Sequence, residues 1–241
     1  MPNLFLDIET ASDMSSEDYL KTLEDVKLGR LSETSEDKGR FWKFKRGALN
    51  PFDGKVILIT FKINDSYTHR LKEWEDGEAA ILKRFYELLS DLQKGYGNDR
   101  LKIIGHNILR FDLFFLYNRM KFHKINPEHR LYQYMLNKPD IFDFLQLHLH
   151  LNNYNMKGLK HDVLTHAYDL PVKETVGSEE SLHYHQHEYQ KIIEYSEREF
   201  IYAELYKKII SDGLVSRQRL QESISWYNDM HKDQHSITET Q

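Results

Sequence analysis

The chain has 241 residues, 40% hydrophobic and 29% charged, which is enough apolar material for one large folded domain rather than a disordered polymer. Lysine plus arginine is 33 against 38 for aspartate plus glutamate, a net charge of −5 that argues against a general nucleic-acid coat protein, whose footprint is basic. With no cysteine, disulfide scaffolds, thiol nucleophiles and cysteine-bound zinc are excluded.

Residues 4–9 read as a strand that begins almost at residue 1, with Leu4, Leu6 and Ile8 on one face and Asp7 and Glu9 on the other. Residues 15–28 carry a helical stripe (Tyr19, Leu20, Leu23, Val26) behind a Ser15/Asp18 capping box. After a polar loop comes a run with five cations, three aromatics and no acid: Lys38, Arg40, Phe41, Trp42, Lys43, Phe44, Lys45 and Arg46. The whole stretch 11–54 has the character of an insertion, closed by Pro51 and Gly54. Residues 55–63 and 67–74 read as two strands joined by an Asn64-Asp65-Ser66 turn. Asp76 is the expected N-cap of a helix whose apolar residues, Ile81, Leu82, Phe85, Leu88, Leu89 and Leu92, share one face, and Gly95 and Gly97 end it. Residues 101–105 form a short buried strand, and helices are expected over 111–121, 142–151 and 157–168. A long helical region, in one or two pieces, follows from Gly177 to Asp212, and 213–241 reads as a further helix with a polar tail. The order gives an α/β domain with a mixed sheet over 1–212. The longest apolar runs fall far short of the roughly 20 residues of a membrane span. MPNLFLDIET lacks a signal peptide's pattern, so the expected compartment is the cytoplasm, with no membrane partner.

Three groups of residues carry chemistry. Asp7 and Glu9 leave the same face of a mostly buried strand, where two carboxylates need a compensating cation, Mg²⁺ or Mn²⁺ by ligand type. The alternative is a solvated strand end. Gly105-His106-Asn107-Ile108-Leu109-Arg110-Phe111-Asp112 spans a strand end and a helix start, where α/β sheets hold ligands; read singly, Asn107 or Asp112 is a helix cap. Tyr195 and Glu199 share a helix face, an arrangement equally suited to a core tyrosine beside a surface acid. His183, His185 and His187, like His148 and His150, alternate at a spacing that a helix cannot turn to one ion, and no zinc site is expected there. Asp143 reads as structural or supporting.

Taken together, Asp-x-Glu on the first strand, His-Asn-x-x-x-Phe-Asp after a middle strand and Tyr-x-x-x-acid on a late helix resemble the DEDD 3′–5′ exonucleases, in the branch marked by the tyrosine. Phe5-Leu6-Asp7-Ile8-Glu9-Thr10 looks most like the exonuclease domain of family B DNA polymerases and its stand-alone relatives, and the likeness extends over about 3–210. The resemblance implies a ribonuclease H-like mixed sheet flanked by helices, and hydrolysis at phosphorus assisted by two divalent cations, Mg²⁺ or Mn²⁺. It implies Asp7 as the bridging ligand, Glu9 and Glu199 beside the metal that activates water, Asp112 at the second metal, and Tyr195 orienting the water. His106, Asn107, Thr10 and Phe111 would face the terminal nucleotide. The implied substrate is the 3′ end of single-stranded DNA, with RNA as the alternative. Arg40, Trp42, Lys43, Lys45 and Arg46 are expected to grip the strand by charge and stacking, or else to form a solvated loop with its aromatics packed inward. The chain departs from the family at Glu199, where aspartate is usual; the longer side chain implies weaker or Mn²⁺-biased activity, or a nucleic-acid-binding subunit without catalysis.

Overall fold

The structure is a computed structural model that describes residues 2–95, 100–172 and 180–231, with the backbone alone at Arg198 and Glu199. It begins with β1 (Asn3–Ser12), α1 (Ser16–Lys27) and α2 (Lys38–Arg46), followed by a single 3₁₀ turn at Gly47–Leu49. Then come β2 (Gly54–Ile63), β3 (His69–Lys72), α3 (Glu73–Asp76), α4 (Glu78–Gly95), β4 (Lys102–Gly105), α5 (Asp112–Phe122) and α6 (Glu128–Tyr132). The rest is β5 (Asp140–Asp143), α7 (Phe144–His148), α8 (His161–Ala167), α9 (Glu180–His185), α10 (Tyr189–Glu199), α11 (Tyr202–Asp212) and α12 (Arg217–Met230).

The strands form one mixed sheet in the order β3-β2-β1-β4-β5. β1 lies at its centre, antiparallel to β2 (Leu6↔Phe61, Asp7↔Thr60) and parallel to β4 (Leu4↔Ile103), with β5 parallel to β4 beyond. The period-2 pleat divides β1 as its sequence requires. Leu4, Leu6 and Ile8 join Ile81, Leu82, Phe85 and Leu89 of α4 and Leu113, Phe115 and Leu116 of α5 in the core on one face. Phe5 faces the other layer, with Phe144, Val163, Leu164, Tyr202, Leu205 and Leu220 from α7, α8, α11 and α12. Each such side chain, fully buried, contributes roughly 1.5–3 kcal/mol. No helix among the described residues is long and apolar enough to cross a membrane.

Local signals set several element ends. The Ser15 side chain accepts from the Asp18 N–H at 3.1 Å and starts α1 where the capping box requires. Asp37 caps α2 the same way through the Arg40 N–H, so the basic run is a helix and not a loop. Elsewhere tertiary pairing overrides the sequence pattern. The segment expected to be helical from 142 to 151 first gives a strand, because Asp140–Asp143 completes the parallel ladder on β4 (Ile103↔Ile141, Gly105↔Asp143). The strand expected over 67–74 keeps only its central four residues. Trp74 is drawn into α3 and stacks on Tyr189 at 4.8 Å. Asp76 is not the cap of α4; it belongs to α3 and pairs with Arg84 at 2.6 Å, and Gly77, at φ 82°, turns the chain between the two helices. The late helical region comes in three described pieces. One break holds His187 at φ 60°, the other lies at Phe200 and Ile201. The described part of the region starts at Glu180; Gly177 and Ser178, and Gly97 after α4, lie outside the described residues.

Candidate active site

Past Phe5 the parallel ladder between β1 and β4 ends, and the two chains part. The approach just before the parting is close. A Cβ on Gly105 would stand 2.6 Å from the Leu6 carbonyl oxygen, so only glycine fits there. The chain then crosses a short loop into α5, and this route delivers Asp112 back to β1. Its Oδ1 accepts from the Ile8 N–H at 3.0 Å. Asp112 is 3% exposed and Glu9 8%, so both acids sit in poorly solvated surroundings along β1, Asp112 on the crevice where β1 and β4 part.

Asp7 lies beside Asp112. Burial first, then the Asp112 carboxylate and then Glu180 push its carboxyl well above the usual range, while the Tyr202 hydroxyl, donating to Asp7 Oδ1 at 3.0 Å, pulls the other way. Glu180 opens α9, which is tied to the end of β1 by the Ser12 N–H donating to Ser181 Oγ at 3.2 Å. Two acids this close favour the bound state of a hard cation, and their oxygens suit Mg²⁺ or Mn²⁺. Among the described residues, no three acid or histidine side chains converge on a single metal position. The donor chemistry of the Asp7/Asp112 pair therefore fits a cation, and the remaining ligands would have to come from Glu9 and Glu199. The Glu199 side chain lies outside the described residues.

The loop over the crevice is held from below by Asp143. Its Oδ1 accepts from the Asn107 and Leu145 N–H groups at 2.9 Å each, and its Oδ2 from the Leu109 N–H at 3.1 Å. Asp143 thus caps α7 and clamps the loop, with Asn107 in the left-handed region at φ 59°. Asn107 Oδ1 and His106 Nδ1 are sealed from solvent with no hydrogen-bond partner among the described residues. The His106 ring lies 5.7 Å from His161, and His161 lies 5.2 Å from Tyr202. Burial, with His161 beside it, lowers His106 to about 3; burial lowers His161 to about 4, so both rings are neutral at physiological pH.

The expected residues divide unevenly. Asp7 and Asp112 meet beside the middle of β1, Glu9 is buried two residues further along the same strand, and His106 and Asn107 lie on the loop that leads to Asp112. Tyr195 is half-buried on α10, which packs over the sheet through Ser196 Oγ and Thr60 Oγ1 at 2.7 Å; Thr60 is the residue opposite Asp7. Thr10 gives its hydroxyl to the Ala48 carbonyl at 2.6 Å, and Phe111 packs on Phe115 at the start of α5. Arg40 is bound to Asp25 at 2.8 Å and Lys43 to Asp13 at 2.6 Å, whereas Lys45 and Arg46 are exposed. Phe44 packs on Tyr19 at 4.8 Å. The sequence reading missed Tyr202 and Glu180. Tyr202 lies two helical turns past Tyr195, so its spacing was a signal, but the break at Phe200 and Ile201 hides which tyrosine reaches Asp7. Nothing in the local sequence marks Glu180.

Three of the histidines outside the crevice, His148, His183 and His185, are engaged in the fold. His148 lies between the Phe144 carbonyl and the Tyr168 hydroxyl, His183 contacts Glu188, and His185 stacks on Tyr19 at 4.0 Å. No protein-family model matches the chain, and no curated protein sequence matches it.

Proposed function

We propose that this protein is a metal-dependent 3′–5′ exonuclease acting on the 3′ end of single-stranded DNA. The observation that carries the reading is the meeting of Asp7 and Asp112, far apart in sequence, so closely that one carboxylate raises the other. The mixed five-stranded sheet flanked by helices is compatible with the ribonuclease H-like fold that the sequence motifs imply. Asp7, Glu9, Asp112 and Glu199 would hold two divalent cations, Mg²⁺ or Mn²⁺, which when bound stabilise the attacking and leaving oxygens of phosphodiester hydrolysis.

The chain's own groups supply orientation. The Tyr202 hydroxyl fixes Asp7 through Oδ1, and the Ile8 N–H fixes Asp112 through its Oδ1. Tyr195 orients the attacking water. His106 and Asn107, on the loop held by Asp143, would line the terminal-nucleotide pocket.

The test is digestion of a 5′-labelled single-stranded DNA with Mg²⁺, Mn²⁺ or EDTA, beside Asp7→Asn and Asp112→Asn. The expected result is a ladder shortening from the 3′ end, absent in EDTA and at least about 10²-fold slower in either variant, since several kcal/mol of charge stabilisation is removed. A strand left intact with both metals overturns the DNA reading. The same digestion on labelled RNA then separates an exoribonuclease from a chain that only binds.

A further inference from the structure

We propose that the groove between α2 and residues 47–53 is a subsite for one unpaired nucleotide of a single strand, with its base against Trp42 and Leu49 and its phosphate on Arg46. The inference rests on the nuclease reading only for the direction in which the strand runs. The groove encloses about 720 Å³, within the range of small-ligand pockets, and is lined by Trp42, Lys43, Arg46, Leu49, Asn50 and Asp53.

The ion pairs sort the five cations of α2. Arg40 is turned to Asp25 and Asp37, and Lys43 is held by Asp13, so those two charges are already balanced by the protein. Arg46 is exposed, has no carboxylate partner among the described residues, and lies 4.4 Å from the centre of the Trp42 ring. A guanidinium set over an indole beside open space matches a phosphate and a base at once. The opposite wall offers an exposed aliphatic side chain: Leu49 is 67% accessible, which is unusual for a large hydrophobic lining a groove. Asp53, the acid in the groove, is bonded to Asn50 Nδ2 at 2.6 Å.

The groove is fixed to the carboxylate crevice. Thr10 and Ser12, the residues of β1 just past Glu9, bond the Ala48 carbonyl at 2.6 Å and the Lys43 carbonyl at 3.2 Å. A strand whose end enters the crevice would pass this ledge. Charge alone does not select nucleic acid, but a cation set beside a half-buried aromatic ring and an exposed aliphatic side chain suits one, because every base offers a flat face to stack.

The test is fluorescence anisotropy of a labelled oligothymidylate with the full chain in EDTA, where cleavage does not interfere, across a salt series. Arg46→Ala should reduce the salt slope by about 0.7, the value of one single-strand phosphate contact. Trp42→Ala should weaken binding roughly 5-fold or more, with Trp42→Phe restoring most of it. Arg46 is exposed, so its variant reads binding without a folding effect. Unchanged affinity and slope in both Arg46→Ala and Trp42→Ala overturn the proposal, as does an acidic peptide that competes as well as the oligonucleotide. Oligonucleotide that binds through Arg46 and Trp42 but is never cut with Mg²⁺ or Mn²⁺ sinks the nuclease and leaves the subsite standing. Cutting that ignores both variants does the reverse.

Discussion

At the scale of single residues, Asp7 is an electrostatically strained acid of the site. Its folded carboxyl lies above the ordinary value of 3.8 because of burial, Asp112 and Glu180. A raised acid favours the fold while protonated and loses that advantage as pH rises through the folded value. At neutral pH without metal, the burial of Asp7 beside Asp112 therefore opposes folding relative to acid pH. Asp7→Asn is expected to melt higher than wild type in EDTA at pH 7, by about 2–4 °C for each kcal/mol relieved. The gap should close as the pH falls toward 3.8. Adding Mn²⁺ should raise the melting temperature of wild type more than that of the variant. A variant no more stable than wild type at pH 7 in EDTA would mean that Asp7 is not strained. The sequence made the Asp7/Glu9 pair visible because a strand's period is 2. It could not show that Tyr202 carries the hydroxyl that steadies Asp7, since that depends on where α11 crosses β1.

At the scale of elements, the junction of α4 and α5 holds a buried ion pair that local pattern conceals. Arg119 Nη2 and Glu78 Oε2 are 2.6 Å apart with side chains 5% and 7% exposed. The Val56 N–H, His123 and the Pro51 carbonyl satisfy the remaining groups. Burial raises the Glu78 carboxyl, but Arg119, the Val56 N–H and His123 outweigh it and hold it below its ordinary 4.5. This contribution is present above 4.5 and is lost as pH falls through the lowered value. Arg119→Met strands a buried carboxylate and should cost about 3–5 kcal/mol, read as the denaturant midpoint at constant slope. A loss below about 1 kcal/mol, the level of a surface pair, would show that water reaches Glu78. On a helix written as sequence, Glu78 and Arg119 look like two ordinary surface charges. Only the packing of α4 against α5 brings them together.

At the scale of the whole molecule, α12 (Arg217–Met230) belongs to the core. α12 packs on α8, Leu220 is fully buried in the same cluster as Phe5 of β1, and His166 stacks on Trp226 at 4.0 Å. Leu220→Ala is expected to destabilise the entire domain in one transition by about 2–5 kcal/mol. A chain ending at 212 should lose the cooperative transition seen by circular dichroism. A truncated chain that melts like the full one would restore the boundary at 212.

The sequence by itself determined the central strand and its two faces, the capped start of α1, the apolar stripe of α4, and the presence of acids at the end of β1. Each of these is set by interactions a few residues long: a pleat, a cap, a helical period. Tertiary contacts decide that Asp140–Asp143 is a strand, that Arg40 and Lys43 of α2 are bound by acids, and that Tyr202 and Glu180 lie beside Asp7. Those outcomes depend on contacts between segments tens to hundreds of residues apart. Their energy comes from burial and pairing with partners that no local window of sequence contains.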